Sequence, residues 1–273
     1  MMILRRKLVS EMIQWAGSQY WDTAWNPIVG CKPCSPACEN CYAKALTERF
    51  GRSFEPRKTK QRPPRKGVVF CGNMTDLFGE WVNGLGISPE EFIKRTGEQF
   101  RAPTATYLYL TKRVDRMCRA LCNGGDPAYE PIRNNGFMAR NYSMHNHYFG
   151  FTAENQDTHD WRAGYMALNF PTWANKWMSC EPLLGPIDLR FSGLILLDKP
   201  AYDWVVVGCE SGPKRRPCRI EWVESIVDQC RTAGVPVFVK QLDIDGACER
   251  DIEKFPAHLQ IRQVPWAKKE GAE

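Results

Sequence analysis

The sequence predicts an α/β fold in which parallel strands form a full or partial (βα) barrel. Short apolar runs rich in β-branched and aromatic residues recur along the 273 residues, with gaps long enough for a crossover helix between them. No glycine-rich phosphate-binding fingerprint follows the first run, which favours a TIM-like barrel over a dinucleotide-binding sheet. No internal repeat or linker interrupts the chain, so we expect one domain over residues 1–273, with an N-terminal helix (1–20), a basic arm (52–66) and a C-terminal extension (242–273).

Six apolar runs are predicted to be buried parallel strands. They are residues 67–73, 106–111, 147–152, 176–181, 203–208 and 235–240. Two of the crossover helices can also be placed. One begins at Ser88, where Pro89 and Glu91 complete a capping-box pattern, and the other runs from about Glu221 to Gly234.

Composition indicates a protein of the reducing cytoplasm. Ser10, Glu11 and Gln14 interrupt the N-terminal apolar residues before the core of a signal peptide can form. No apolar run approaches the ~20 residues of a membrane span. Most cysteines outside residues 31–41 lie in or beside apolar segments, where a reduced thiol behaves as a small hydrophobic group. We therefore expect a cytoplasmic protein with no membrane partner.

Four of the twelve cysteines lie in the run CKPCSPACENC, residues 31–41. Thiolates this close repel one another unless a cation lies between them, and short cysteine runs are typical of iron–sulfur sites. Cys31, Cys38 and Cys41 have the spacing C-x6-C-x2-C, but Cys34 also makes the run two CxxC pairs. Four ligands would close a metal site, whereas three would leave an iron open. A zinc site usually has its pairs further apart, and disulfides belong to oxidising compartments.

Polar residues follow every predicted strand, at the edge where the working residues of a barrel lie. A single acid after a strand is often only a helix N-cap, but recurrence after successive strands favours a functional site. The polar or special residues at these positions are Asn73, Asp76, Thr111, Lys112, Arg113, Thr152, Glu154, Asn155, Cys180, Glu181, Glu210, Ser211, Lys240 and Gln241.

The net charge of +6 is modest, but its distribution is uneven. Residues 52–66, RSFEPRKTKQRPPRK, hold seven Lys or Arg against one acid, and their prolines argue against a continuous helix. We interpret this segment as a mobile basic arm that is either a solvated connection or a contact for nucleic-acid phosphates. A second basic cluster lies beside the motif GCESG: Lys214, Arg215, Arg216 and Arg219.

Several motifs resemble those of a phage-associated three-cysteine family of radical-SAM-like proteins. They are TAWNPIVGCKPCSPACENCYA, CGNMTDLF, LTKRVDRM, GFTAENQ, SCEPLLGPIDL, DWVVVGCESGP and VPVFVKQ. The resemblance runs from about Trp21 to VPVFVKQ. It implies a barrel of the radical SAM type, a [4Fe-4S] cluster on Cys31, Cys38 and Cys41, and S-adenosylmethionine (SAM) on the fourth iron.

Two cysteines depart from the family pattern. Cys34 is either a spare thiol, which we favour, or a competing fourth ligand, and Cys209 replaces a usual glycine, so that it either points into the site or packs. The resemblance also implies that Tyr42, after the last ligand, packs near the adenine of SAM. The candidates for holding the amino, carboxylate and ribose groups of SAM are Asn73, Asp76, Glu181, Glu210 and Ser211.

The resemblance implies an enzyme that generates a 5′-deoxyadenosyl radical. Radical SAM relatives in phages are implicated in remodelling hypermodified thymidines, so the predicted substrate is a nucleobase in DNA or a nucleotide. The sharpest version is an isomerase that rearranges an amino-acid-substituted thymidine, in the host cytoplasm if the gene is a phage gene. The alternatives are a radical SAM DNA-repair lyase and a non-catalytic nucleic-acid-binding protein with four cysteines on zinc or a closed cluster. An electron donor is expected as partner, and the oligomeric state is not predicted.

Overall fold

Strands and helices alternate along the chain. A computed structural model describes residues 13–14, 17–97, 104–122, 144–190, 195–196, 199–200 and 202–266. The strands are β1 (Ile13–Gln14), β2 (Thr23–Trp25), β3 (Ile28–Val29), β4 (Arg57–Lys58), β5 (Lys66–Cys71), β6 (Thr104–Thr111), β7 (His147–Thr152), β8 (Asn175–Cys180), β9 (Ile195–Leu196), β10 (Lys199–Pro200), β11 (Trp204–Gly208), β12 (Val237–Ile244), β13 (Ala247–Glu249) and β14 (Gln263–Val264). The six predicted strands are thus confirmed as β5, β6, β7, β8, β11 and β12.

Six α-helices lie within the described ranges. They are α1 (Tyr42–Arg49), α2 (Trp81–Gly84), α3 (Pro89–Gly97), α4 (Val114–Cys122), α5 (Gln156–Asn169) and α6 (Ile220–Ala233). The Ser88 hydroxyl accepts a hydrogen bond from the Glu91 amide at 3.3 Å, so α3 begins as predicted. Gly234 ends α6 with φ of 68°, a conformation that strains any residue with a Cβ. No helix in these ranges is long and apolar enough to cross a membrane.

Eight strands form one sheet in the order β13-β12-β11-β8-β7-β6-β5-β2. All pairs are parallel except β12 with β13. The order follows the chain without a reversal, and right-handed crossovers then put the helices on one face. The sheet curls around its other face as a half-barrel whose edge strands, β2 and β13, do not pair with each other. The prediction of a partial barrel is confirmed.

Alternation of side chains along the strands divides the core into two layers. Val69, Tyr107 and Phe149 face the helices, in the larger layer. The smaller layer fills the concave face and is closed by residues from both ends of the described chain: Tyr20, Val68, Phe70, Leu108, Tyr148, Trp177, Trp204, Val206, Phe238, Val264 and Trp266. Further along the same strands, the inward positions become polar.

One expectation about the chain ends needs correction, and one strand near the N-terminus was not predicted. Residues 13–14 form β1, which pairs antiparallel with β14, so the predicted helix over 1–20 is wrong there; residues 1–12 lie outside the described residues. The sequence also gave no sign of β2, which pairs parallel with β5 from Thr23 to Trp25. A strand of three residues is too short for the alternation of apolar and polar side chains to be recognised in the sequence.

Candidate functional site

The cysteine loop, residues 30–41, leaves β3 and crosses the carboxyl ends of the strands before α1 begins. Gly30 has φ of 92°, and a Cβ there would lie 2.4 Å from the Glu55 carbonyl oxygen, so only glycine fits. The Cys31 amide donates to the Phe54 carbonyl at 3.2 Å, and the Gly30 amide donates to Met74 at 3.1 Å. The loop therefore starts from a fixed point.

Side chains that follow three other strands hold the rest of the loop. Arg113, after β6, donates to the Lys32 carbonyl at 3.0 Å. Glu154, after β7, accepts from the Ser35 hydroxyl at 2.6 Å. Glu210, after β11, accepts from the Asn40 side chain at 3.0 Å. The loop is thus anchored across most of the width of the half-barrel.

Cys31, Cys34, Cys38 and Cys41 line one open cleft of about 150 Å³. The strand ends supply the opposite wall, which combines apolar and charged side chains. The other lining residues include Tyr42, Phe54, Phe70, Asn73, Asp76, Leu110, Lys112, Arg113 and Thr152. The structure therefore brings all four thiols to the mouth of the half-barrel.

The thiols differ in their electrostatic surroundings. Hydrogen bonding from Cys34, which outweighs the opposing effect of burial, lowers the pKa of Cys38 to about 4, with help from the Lys112 charge and from Ser35. The same hydrogen bond, together with burial, raises the pKa of Cys34. Burial and the Asp76 charge raise the pKa of Cys31 to about 12. These surroundings therefore favour the thiolate form of Cys38 and the thiol forms of Cys31 and Cys34.

The described residues contain no group of three or more His, Cys, Asp or Glu side chains arranged around a common point for a metal ion. Thiol chemistry and the shared cleft suit a soft metal or an iron–sulfur cluster. The side chains of Cys31, Cys38 and Cys41 would have to turn towards one another to bind it. Their assignment as ligands stays a prediction.

Asp76, a predicted SAM contact, accepts hydrogen bonds from several groups of the protein. Its buried carboxylate accepts from the Thr111 hydroxyl at 2.8 Å, the Lys112 amide at 3.1 Å and Arg113 at 3.2 Å. It also accepts from the Phe78 amide at 3.0 Å. Asp76 thus joins the ends of β5 and β6 and orients Arg113 towards the cysteine loop.

Glu154 is a second anchor and was not among the predicted SAM contacts. It is fully buried, and besides Ser35 it binds Arg162 at 2.6 Å and lies 3.8 Å from the Lys112 ammonium. Burial alone would raise its pKa, but Lys112, Arg162 and Ser35 hold it below the ordinary range. Its position two residues beyond Thr152, on the same side of β7, is the sequence signal that points to it.

Tyr42 and Asn73, both predicted SAM contacts, lie together at one lip of the cleft. The Tyr42 hydroxyl donates to the Asn73 carbonyl, and the Asn73 side chain accepts from Asn26 at 2.7 Å. The Tyr42 residue is 51% exposed. Burial of its hydroxyl and the charges of Cys41 and Glu181 raise the pKa of Tyr42.

Glu181, at the end of β8, pairs with Lys240 on β12. The ammonium lies 2.7 and 2.9 Å from the two carboxylate oxygens, and both side chains remain partly exposed. Lys240 also lies 5.7 Å from the ring centre of Tyr20 and 5.4 Å from that of Trp21. The ion pair therefore lies next to the aromatic side chains that fill the concave face.

Glu210 and Ser211 lie in the turn after β11. Glu210 binds Arg216, which also donates to the Pro36 carbonyl of the cysteine loop at 3.0 Å. Burial alone would raise the pKa of Glu210, but hydrogen bonds from Arg216 and Asn40 lower it. Ser211 is half-buried beside it. The structure thus brings Glu210 to the cysteine loop, and Ser211 to its margin.

Two of the four cations in the second basic cluster form ion pairs within the protein. Arg215 lies 3.0 Å from Asp243, and Arg216 pairs with Glu210 and Glu39. Of the four cations, only Lys214 and Arg219 are exposed. The cluster is therefore weaker as a contact for phosphates than its sequence suggests.

The basic segment at 52–66 is held against the domain, so the expectation of a mobile arm is wrong. Its strand β4 pairs with β3, the Gln61 carbonyl accepts from Trp25 at 3.3 Å, and the Pro64 carbonyl accepts from Tyr107 at 2.7 Å. The basic side chains nevertheless point outwards, and all are exposed: Arg52, Arg57, Lys58, Lys60, Arg62, Arg65 and Lys66. Phe54 of the same segment lines the cleft, so this basic surface starts at the site.

The profile of a family described as "Protein of unknown function (DUF5131)" matches residues 13–260. This chain belongs to that family. The match includes the cysteine loop, every strand of the main sheet and the turn with Glu210. A search of curated proteins and a search of solved structures each found no match. The family description carries no activity, so the resemblance to radical-SAM-like proteins stays a prediction.

Proposed function

We propose that this protein is a radical SAM enzyme with a [4Fe-4S] cluster. The observation that carries the proposal is the place of the cysteine loop: its four thiols line a cleft at the carboxyl ends of a parallel half-barrel. Catalytic groups of barrel enzymes lie at that end, and short cysteine runs hold iron–sulfur clusters. When bound, the cluster and SAM would supply a carbon radical that abstracts hydrogen from a substrate.

Cys31, Cys38 and Cys41 are the proposed ligands, and Cys34 is the spare thiol. Two properties of Cys34 support this division. It is the most exposed of the four residues, and its thiol lies close enough to Cys38 to lower the pKa of that cysteine. A thiol that stabilises a neighbouring thiolate has a role in the loop without binding metal itself.

The acids of the second half of the sheet are the proposed contacts for the amino-acid end of SAM. A carboxylate such as Glu181 can bind an ammonium group, and Lys240 can bind a carboxylate, once their mutual ion pair opens. Both side chains are less than one-fifth exposed, so a ligand that opens the pair must supply a partner for each charge. Tyr42, at the lip of the cleft, is the proposed contact for the adenine end of SAM. Glu210 and Ser211 are the candidates for binding the ribose of SAM.

The proposed substrate is a nucleobase in DNA. The outward-facing cations of residues 52–66 start beside Phe54 at the cleft, and phosphate neutralisation by Lys and Arg is the main source of affinity for DNA. A base in a duplex must be flipped out to reach such a cleft. Isomerisation of an amino-acid-substituted thymidine is the sharpest version of this proposal, and a DNA-repair lyase is its alternative.

A second candidate function is a non-catalytic nucleic-acid-binding protein with a closed four-cysteine site. The observation that favours it is that Cys34 lines the same cleft as the other three cysteines. Four thiolates would hold zinc or a fully ligated cluster and leave no open coordination position.

Anaerobic reconstitution distinguishes the two. Under the first proposal the protein binds about four irons per chain and cleaves SAM to 5′-deoxyadenosine. Cys34→Ala keeps both properties, Cys38→Ala loses both, and Cys218→Ala outside the loop serves as control. Loss of SAM cleavage in Cys34→Ala would contradict the three-ligand assignment, and one zinc without iron in the native protein would overturn the radical proposal.

The substrate needs a separate experiment. Nucleosides from DNA made with and without the gene are compared by mass spectrometry. A changed thymidine derivative supports the isomerase, whereas loss of a damaged base supports the lyase. Identical nucleoside profiles would contradict both versions.

A further inference from the structure

Two thiols outside the cysteine loop lie in contact. The sulfur atoms of Cys209 and Cys248 are 3.7 Å apart. Cys209 is fully buried in the turn after β11, and Cys248 is partly exposed on the edge strand β13. Cys209 therefore packs against the hairpin of β12 and β13, which decides between the two orientations that the sequence left open for it.

The backbone holds both cysteines against β12. The Cys209 amide donates to the Gln241 carbonyl at 3.2 Å, and the Gln241 side chain donates to the Cys209 carbonyl at 2.6 Å. Cys248 lies directly opposite Asp243 in the antiparallel ladder. A disulfide needs the sulfurs about 1.7 Å closer than they are. The hairpin carrying Cys248 is an edge of the sheet, so a small shift there is inexpensive.

The surroundings of Cys248 favour its reaction with an oxidant. Arg250 and Arg215 lie near its sulfur, and the Cys209 thiol donates a hydrogen bond to it. That hydrogen bond, which outweighs burial, and the charges of the two arginines lower the pKa of Cys248 to about 7. The thiolate is the nucleophile in thiol oxidation, and Cys248 is also the more accessible of the pair.

We propose that Cys209 and Cys248 form a reversible disulfide, a redox modification site separate from the cysteine loop. The Cys248 thiolate attacks one oxygen of hydrogen peroxide and becomes a sulfenic acid as hydroxide leaves. The Cys209 sulfur then attacks the Cys248 sulfur, and the sulfenic oxygen leaves as water. In sum, two thiols and one peroxide give one disulfide and two waters. Disulfides of the cytoplasm are usually transient or redox-sensing, which fits a reversible bond.

The disulfide would tie the turn that carries Glu210 to the edge hairpin. Glu210 follows Cys209 directly and binds Asn40 and Arg216, both of which contact the cysteine loop or belong to it. Oxidation at Cys209 and Cys248 therefore changes the freedom of a residue that holds the cysteine loop. This inference does not depend on the proposed radical SAM activity.

Peptide mapping tests the proposal. The reduced protein is treated with hydrogen peroxide, remaining thiols are alkylated, and trypsin digestion is done without reduction. Trypsin is expected to release residues 191–214, with Cys209, joined to residues 241–250, with Cys248. Both alkylated peptides should be lost together and return after dithiothreitol. Amide hydrogen exchange of residues 209–216 should slow on oxidation.

Three variants make the result decisive. Cys248→Ser and Cys209→Ala should lose the joined peptide and the slower exchange, whereas Cys218→Ala, which removes another buried thiol nearby, should keep both. If Cys209 and Cys248 stay alkylated while Cys34 or Cys38 is oxidised, the proposal is overturned. A joined peptide that links either cysteine to the cysteine loop instead would also overturn it.

Discussion

The two halves of the sheet use their strand-end acids differently. In the first half, Asp76 and Glu154 are buried, and each is bound by several groups of the scaffold. In the second half, the carboxylates of Glu181 and Glu210 are also largely buried, but each binds a cation that keeps some exposure, 19% for Lys240 and 29% for Arg216. All four follow a parallel strand, so their sequence positions are equivalent.

The difference lies in the partners. Asp76 and Glu154 accept hydrogen bonds from fixed backbone amides, hydroxyls and buried guanidinium groups. A ligand that displaced these donors would leave buried charge unpaired, so both acids have a structural role. The Lys240 ammonium can swing away, so Glu181 can exchange it for a ligand. Glu210, by contrast, also accepts from the Arg216 backbone amide at 2.8 Å and from the Asn40 side chain at 3.0 Å. Asp76, Glu154 and Glu210 position the cysteine loop, and Glu181 is the acid best placed to bind a ligand.

The largest effect is expected from Asp76→Ala. It leaves the buried guanidinium of Arg113 without its main partner, so the free energy of unfolding should fall by about 3–5 kcal/mol. Urea unfolding followed by circular dichroism measures it. Asp228→Ala removes an exposed ion pair with Arg231 and should cost less than about 1 kcal/mol. Equal losses in the two variants would contradict the structural role of Asp76.

Glu154→Gln should have the next largest effect, with a loss of about 2–3 kcal/mol at neutral pH. The folded-state pKa of Glu154 is lowered, so its contribution is fully present above the ordinary glutamate pKa and disappears as the pH falls through the folded value. The difference between wild type and variant should therefore shrink in acid. Unfolding measured from neutral to acidic pH checks this, with Glu48→Gln at an exposed site as control. A difference independent of pH would argue against a charged Glu154.

Glu181→Gln should lower the free energy of unfolding by about 1–2 kcal/mol, less than Asp76→Ala, because the Lys240 ammonium keeps 19% exposure whereas the Arg113 guanidinium keeps 8%. If Glu181 binds the ammonium group of SAM, affinity measured by calorimetry should fall about tenfold, equivalent to about 1.4 kcal/mol. Lys240→Met provides the matched change on the other side of the pair. Unchanged affinity in both variants would remove the pair from the binding site, and a large loss of stability would place it with Asp76.

The smallest effect on stability is expected from Lys58→Gln combined with Arg62→Gln. Both side chains are exposed, so unfolding should be unchanged within about 0.5 kcal/mol. Binding to DNA should weaken, and the slope of log affinity against log salt should become shallower by about 1.8 for two lost phosphate contacts. Arg190→Gln, exposed but outside the basic segment, should leave the slope unchanged. An unchanged slope in the double variant would exclude this surface as the DNA contact.

Much of the sheet could be predicted because each long buried strand carries its own pattern. Runs such as Val205 to Val207 are apolar at every position, as strands buried on both faces must be. β2 and β1 could not be predicted, since their few residues become strands only by pairing with β5 and β14. The sequence predicts a mobile basic segment because the groups that hold it, such as the hydroxyl of Tyr107, come from distant parts of the chain and cannot be recognised within the segment itself.

The candidate site shows the same division. The cysteine spacing and the polar residues after each strand located the cleft. The sequence could not separate Asp76 from Glu181, and it did not single out Glu154, because burial and partners are set by contacts across strands. The role of Cys209 was open for the same reason, and its partner Cys248 lies 39 residues away along the chain.

The sequence by itself determined a parallel α/β sheet of a full or partial barrel, the cysteine loop and the set of polar strand ends, because these follow from local apolar patterning and residue spacing. Only the tertiary structure decided which acids are anchors, which cations are already paired and which thiols touch. Those properties depend on distances between residues far apart in the chain, and a single charge or thiol acquires its pKa and its role only from the neighbours that folding brings to it.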